Sequence, residues 1–587
     1  MSAAAQGGGR IEAAGGRGAG TFALQLLLWG PALLMALPLL LPQEWLIGVL
    51  DHPAHPRRGG PPGAAPPADT TVAGARLLAN AALPAAALWL AGAACLRLWT
   101  RRARAAPAAP GQALDPPPPR WVLPLLVLVA AALRLPLLTQ SLWYDEIAAL
   151  GDFTQYGPGA IAGAWFTPSN HVLQGILSWA SLHLLDGGDV ALRLPSFLAG
   201  LLLIPAVLGL GREAGGTRLG VIAAALASFM PIAALEATEA RGYSLAMLMA
   251  ALAGWGLLRG ARTGHPAPFV AAALATALGV WAHMAFAAWG AGAGLVCVAR
   301  LAWPGGQGAE RARARLGAAC GAAALLMGAA LAFELLCPLL PDVLALREQL
   351  KGGRGQPTLL SAEGARIALT FTGTWAALHP WALLAAPGAI ACAAGVAALL
   401  RRRTSWALPM QLAGVAVAVA GVALAGSWMY ARFISWCVPG VCLLMGAGLL
   451  ELGRVRRGAA LAVAGALAAA WIWELTTLPP RQPLRDAMQW LQARRAPEER
   501  VGTVGIRGNV LAWYAPEGLA IATSGIGGSE LEPMLERWQP RWIVVTYPRA
   551  MLPEARALLE ERGFAPQVVL PGWVDWGGGD VEVWRRP

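Results

Sequence analysis

Ser141-Leu142-Trp143-Tyr144-Asp145-Glu146 follows directly on a long apolar run, Trp121 to Leu138. Two adjacent carboxylates at the mouth of a membrane helix are costly to place, and where they occur they usually serve a purpose. An acid at that border can act as the base that activates an acceptor hydroxyl. The plainer reading is the solvated start of a loop. The rest of the chain decides between the two.

Of the 587 residues, 57% are hydrophobic and only 13% are charged. Many windows of about 18 or more residues carry almost no charge, the length needed to cross a hydrocarbon core of ~30 Å. The chain therefore reads as a polytopic membrane protein. A net charge of +12 would suit a nucleic-acid partner, but the arginines are concentrated in short connections between apolar runs. That is the charge bias of membrane topology and not a basic binding face. The seven cysteines (Cys95, Cys297, Cys320, Cys337, Cys392, Cys437 and Cys442) are scattered through apolar segments without paired spacing, and read as small buried hydrophobes.

About thirteen spans are expected: 21–41, 75–99, 121–139, 190–210, 218–235, 243–259, 267–282, 284–300, 317–337, 381–400, 406–426, 433–450 and 458–476. The first is too long for a signal-peptide core and lacks a clean cleavage site, so it reads as an uncleaved helix. Alternate connections hold arginines: Arg101, Arg102 and Arg104, then Arg212 and Arg218, Arg259 and Arg262, Arg300 to Arg315, Arg401 to Arg403, and Arg454 to Arg457. The opposite connections hold most of the carboxylates. With the N-terminus in the cytoplasm, this count puts the C-terminus outside a bacterial inner membrane.

The organisation reads as an N-terminal extension with two extra helices (1–120), a transmembrane core with external loops (121–478) and a small external α/β domain (479–587). In the first large loop, Leu173, Ile176, Leu177 and Leu184 recur near helical spacing beside Trp165, Phe166 and Trp179, which predicts an interfacial amphipathic helix. A second external loop, 338–380, holds Arg347, Lys351, Arg354 and Arg366. In the tail, helices are expected at 484–493 and 553–562, and strands at 501–506, 542–547, 566–570 and 581–584. The tail has no phosphate loop, nucleophile elbow or metal cluster, so it reads as a lid or docking module.

Four external features can converge on one cavity: Asp145-Glu146; Pro168-Ser169-Asn170-His171; Glu239-Ala240-Arg241-Gly242-Tyr243; and Tyr430-Ala431-Arg432-Phe433. An acid that takes a proton and arginines that hold phosphate are what sugar transfer from a polyprenyl phosphate requires. The guanidinium fork suits phosphate oxygens, and its charge stabilises the leaving group as the bond to the sugar breaks.

The order Tyr144-Asp145-Glu146, Asn170-His171, Ala191-Leu192-Arg193-Leu194-Pro195-Ser196 and Glu239-Ala240-Arg241 resembles membrane glycosyltransferases of the GT-C type. The nearest resemblance is to the bacterial family related to protein mannosyltransferases (dolichyl-phosphate-mannose-protein mannosyltransferase-like) and to the lipid A aminoarabinose transferase. Trp281-Ala282-His283, Arg432-Phe433 ahead of Pro439, and Gln482-Pro483-Leu484-Arg485-Asp486 extend it over about residues 121–500. The chain departs from it after His171, where Val172-Leu173-Gln174 stands in place of Pro-Pro-Leu.

The resemblance implies a GT-C-like fold and a polyprenyl-phosphate-linked sugar donor reacting on the periplasmic side with a lipid, glycan or protein acceptor. It implies Asp145 as base or acceptor-orienting acid with Glu146 beside it, and Glu239 and Arg241 in the same cavity. Arg432 is the candidate for the donor phosphate, with Tyr144, Asn170, His171 and His283 as further contacts. Asp145, Glu146 and Glu239 have the oxygens to hold a divalent cation, though no cofactor is required. Arg193 reads as structural, Glu236 as a turn carboxylate, and His183 and His379 as interfacial or solvated. The rival readings are a glycan ligase or polymerase with a pyrophosphate-linked donor, and a transporter or flippase. The latter would place ionisable residues midway along the spans, whereas these cluster at span ends.

Overall fold

The computed structural model describes residues 8–58, 66–105, 114–346, 367–371, 385–402, 406–425, 429–525, 530–575 and 578–587. Among these, nine helices are long and apolar enough to cross a membrane: Phe22–Leu40, Asp69–Arg102, Asp189–Gly215, Tyr243–Thr263, Met284–Ala302, Gly308–Leu336, Ala407–Leu424, Ala431–Val455 and Arg457–Thr477. The other four expected spans coincide with shorter apolar helices, Val122–Leu138, Thr217–Phe229, Pro266–Ala282 and Ala386–Arg401. The chain is a multi-pass membrane protein with a small C-terminal sheet domain. Most of the second external loop, with Arg347, Lys351, Arg354, Arg366 and His379, lies outside the described residues.

One short expected span owes its shape to a local break. The helix Thr217–Phe229 ends before Pro231, which cannot supply a backbone donor. Its last carbonyls, on Ala227 and Ser228, accept hydrogen bonds of 3.2 and 2.9 Å from the fully buried Arg134 of Val122–Leu138. A cation on those orphan carbonyls also opposes the negative end of the helix dipole. The chain can then turn into the short helix Pro231–Glu236 and the tight connection that carries Glu239 and Arg241.

The N-terminal extension is packed onto the core. Trp89 Nε1 donates to the Leu28 carbonyl at 2.9 Å, joining the two extra helices. The linker between them forms the helix Gln43–Leu50, seated on Pro158–Gly163 so closely that a side chain at Gly159 or Gly163 would strike the Val49 or Leu50 carbonyl. Beyond it, His52 is buried among Phe153, Tyr156 and Phe166. Burial pushes its imidazole down to about 4. A folded pKa below the unfolded one means stability present above pH ~6.5 and lost as pH falls towards 4. Acidification through that window is therefore expected to remove on the order of 2 kcal/mol from linker docking. The check is hydrogen exchange of residues 43–58, which His52→Gln should make independent of pH.

The tail sheet has strand order β2-β1-β3-β5-β4, with β1 Val501–Val504, β2 Ile521–Ser524, β3 Trp542–Thr546, β4 Ala565–Leu570 and β5 Val581–Arg585. Strands β2, β1 and β3 run parallel, and β5 is antiparallel to both β3 and β4. The period-2 alternation sends Ile543, Val545 and Trp584 to one face, under the helices Leu531–Trp538 and Pro553–Glu561. Trp542, Val544, Val581 and Val583 face the other way. They pack with Leu484–Gln492 and with Leu142, Ile147 and Leu150 of the first loop. The strand β2 and the helix Leu531–Trp538 were not among the sequence expectations. The inner sheet face thus clamps the tail onto the segment where the candidate acids sit.

Candidate functional site

The helix Tyr144–Asp152 starts from Trp143, whose N–H donates to the Glu146 carboxylate at 3.2 Å, a capping interaction from three residues on. Successive residues on a helix diverge by about 100°, so Asp145 and Glu146 point to different places. Glu146 turns inward, fully buried. Arg193 grips it with a fork of 2.8 and 2.6 Å, and it accepts a 2.7 Å bond from the Ala240 N–H. The structure thus places Glu146, expected as a catalytic partner, away from the cavity lining, with every strong acceptor direction used inside the protein.

Asp145 turns the other way, into a cavity of about 790 Å³. Its carboxylate lies 3.2 Å from Arg432 and 3.8 Å from Arg241. Arg432 reaches on to Asp575 at 2.8 Å, and Asp575 to Arg481 at 3.6 Å. Arg481 pairs with Glu239 at 3.0 Å and lies 3.9 Å from Glu236. Three arginines and four carboxylates thus alternate in one chain of charge that runs from the cavity lining (Asp145, Arg241, Arg432 and Asp575) to the groups behind it (Arg481, Glu239 and Glu236). Arg481 is sandwiched between the rings of Trp143 and Trp573, at 4.4 and 4.2 Å, and Arg432 lies 5.0 Å from the Trp143 ring.

Exposure separates the four acids. The Asp145 side chain is 21% exposed, against 6% for Asp575, 7% for Glu239 and 0% for Glu236. Glu239 shares the cluster but does not line the cavity, where the sequence reading had placed it. Burial pushes the Glu239 carboxyl well above the usual range, against the pull of Arg481 and with the help of Glu236. Two carboxylates facing one guanidinium in a dry site retain a proton between them. Glu236 is correspondingly a fully buried member of this cluster and not the turn carboxylate that the sequence suggested. Asp145, Glu146 and Glu239 do not converge as metal ligands, each being held by a different arginine, and no cluster of three potential ligands occurs among the described residues.

The remaining expected residues fall into two groups. Tyr144, His171, Arg241, His283 and Arg432 line the cavity. Asn170 lines it too, but its amide is spent on the Ile161 and Ala164 carbonyls at 2.8 and 2.7 Å, so it shapes the loop. His171 Nδ1 lies 3.1 Å from the Gly242 N–H and 3.2 Å from the Ala282 carbonyl, which fixes the ring between the two connections. Burial, with Arg241 and His283 nearby, holds His171 well below its ordinary pKa. His283 stacks on it at 5.1 Å and is pushed down to about 3 by burial and by Arg241 and Arg432. Both imidazoles are neutral at physiological pH. Gly242 is required there, since a Cβ would meet the Ala282 carbonyl and come within 2.7 Å of His171.

Several site residues were not singled out from the sequence. Arg481 and Asp575 come from the tail, whose charge content gave no cue that it completes the cluster. Tyr243 and Trp281 lay inside quoted motifs without being assigned. The Tyr243 hydroxyl, Trp281 Nε1 and His283 Nδ1 are buried in the lining without a hydrogen-bond partner among the described residues. Such groups offer bonds to a polar ligand. Tyr144, Arg241, Trp281, His283 and Arg432 all stand at or just beyond helix ends.

No family model and no curated protein matches the chain. Among solved structures, it is similar to ArnT from Cupriavidus metallidurans bound to undecaprenyl phosphate, with 15% identity over 79% of this chain and 97% of that one, at a TM-score of 0.49. It is similar to the archaeal oligosaccharyltransferase AglB from Archaeoglobus fulgidus in complex with an inhibitory peptide and a dolichol-phosphate, with 16% identity over 78% and 73% and a TM-score of 0.43. A third is the arabinofuranosyltransferase AftD from Mycobacteria, 15% identical over 81% of this chain and 42% of that one, at a TM-score of 0.39.

Proposed function

We propose that this protein is a GT-C-type membrane glycosyltransferase that moves a sugar from a polyprenyl-phosphate donor to an acceptor hydroxyl at the outer face of the inner membrane. The observation that carries this reading is the partly exposed carboxylate of Asp145, set within 3.2 Å of Arg432 and 3.8 Å of Arg241 at the wall of a large cavity. The motif order in the sequence points the same way.

In this reading Arg432 and Arg241 bind the donor phosphate in exchange for part of their hold on Asp145. Their charge then stabilises the phosphate as the sugar leaves. Asp145, released from part of that pairing, takes the proton of the acceptor hydroxyl. Neutral His171 and His283, with Tyr243 and Trp281, orient the sugar by hydrogen bonds and ring faces. In this reading guanidinium groups meet the charge of the leaving phosphate.

The test uses the full chain in lipid nanodiscs with radiolabelled undecaprenyl-phosphate sugars. Wild type is expected to transfer label or release it to water. Arg432→Gln should lower turnover by about a hundredfold or more and weaken binding of undecaprenyl phosphate. Turnover by Arg432→Gln equal to wild type would remove Arg432 from the donor site. Transfer only from pyrophosphate-linked donors would replace the reading with a ligase.

A further inference from the structure

A second cavity, of about 490 Å³, lies beside the first at the seam between the first loop and the tail domain. Its walls come from three pieces of chain: the helix Tyr144–Asp152 with the turn after it, the interfacial helix Val172–Leu184, and the short tail helix Gly508–Leu511 with Trp513. Ala148, Asp152 and Arg507 line both cavities. Asp152 and Arg507 form a bidentate pair at 3.1 and 2.8 Å. That pair is the polar part of the partition: one carboxylate of the core and one guanidinium of the tail.

We propose that this second cavity is a saccharide subsite that holds the acceptor, with the Asp152–Arg507 pair as the polar boundary between acceptor and donor. This rests on the glycosyl-transfer reading above and adds the acceptor's chemical class. Three aromatic rings face the space, Tyr156, Trp179 and Trp513. Indole faces cover the apolar C–H faces of pyranose rings, while planar carboxylate, guanidinium and amide groups pair with the hydroxyls at the ring edge. Both kinds of group are present, the second as Asp152, Arg507 and Asn509.

The charges in the wall cancel within the Asp152–Arg507 pair, which selects for a neutral, hydroxyl-rich ligand over an anion. The aromatic wall is also preorganised. His183 lies 4.3 Å from the Trp179 ring and donates from Nδ1 to the Trp179 carbonyl at 2.7 Å. Trp513, by contrast, is 46% exposed at the rim. A large ring left in water beside a polar cavity is the feature that a stacked sugar would cover.

The test takes the full chain in nanodiscs with cellobiose, lactose, chitobiose and mannobiose as probes, read by tryptophan fluorescence and by saturation-transfer NMR. At least one disaccharide is expected to bind saturably. Trp513→Ala should weaken that binding by about tenfold or more, and Trp513→Phe, which keeps a ring, by much less. Undecaprenyl-phosphate binding is measured on the same samples and should be equal in all three proteins.

Disaccharide binding that is absent for every probe, or unchanged by Trp513→Ala, would overturn the proposal. So would a serine-containing peptide that binds with Trp513 dependence where no disaccharide does. Failure of wild type to bind undecaprenyl phosphate would instead sink the donor reading, and the saccharide result stands or falls separately from it.

Discussion

Asp145→Asn is expected to lower sugar transfer by about two to four orders of magnitude, the range over which a positioned general base contributes, while the protein stays folded. Asparagine keeps the shape of the side chain and loses the capacity to take a proton together with the charge that faces Arg432 and Arg241. Arg432 keeps its 2.8 Å pair with Asp575, so the cluster behind the wall survives. None of the other three acids can substitute. Glu239 and Glu236 face Arg481, Asp575 faces Arg432 and Arg481, and all are at most 7% exposed. The measurement is the initial rate with a radiolabelled polyprenyl-phosphate sugar, beside thermal unfolding of the same sample. A rate within about threefold of wild type would assign proton removal elsewhere. Asp145→Glu separates position from chemistry: its carboxylate is displaced by about one methylene, so activity between that of wild type and that of Asp145→Asn is expected.

The transmembrane organisation was legible because hydrophobic length and arginine bias are dictated by the bilayer, whatever the fold. Among the described residues the expected spans fall on apolar helices, of which nine are long enough to cross by themselves. The difference is set by breaks such as Met230-Pro231, where Arg134 completes the helix end from another span, a contact 93 residues distant. The convergence of Asp145, Arg241 and Arg432 was legible as sidedness, since all three follow or precede a span end on the acidic side.

What sequence could not resolve was which acid looks into the cavity. Adjacent Asp145 and Glu146 are equivalent in a loop and opposed in a helix, and the helix Tyr144–Asp152 was not expected. The tail contribution was illegible for a different reason. Arg481 and Asp575 are separated in sequence by the whole sheet domain and meet in space at 3.6 Å.

Arg193→Ala is expected to have the largest effect on stability, about 3–5 kcal/mol, the usual loss when one partner of a buried ion pair is removed. Arg193 is 3% exposed and satisfies three carbonyls besides Glu146: Leu138 at 3.0 Å, Gln140 at 2.6 Å and Ser141 at 3.0 Å. These are the residues that carry the chain from the end of the span Val122–Leu138 into the helix that presents Asp145. Alanine would strand a buried carboxylate and free that turn, so loss of stability and loss of turnover should appear together. Arg193→Lys should recover part of the charge and none of the fork, because an ammonium cannot engage two carboxylate oxygens and three carbonyls from one plane. The double variant Arg193→Met with Glu146→Gln should unfold less readily than Arg193→Ala, since no ion is left unpaired. Thermal unfolding in nanodiscs, with proteolysis of the segment 139–146 as a local probe, reads all three. A double variant no more stable than Arg193→Ala would mean that the turn carbonyls, and not the stranded Glu146 charge, dominate the loss.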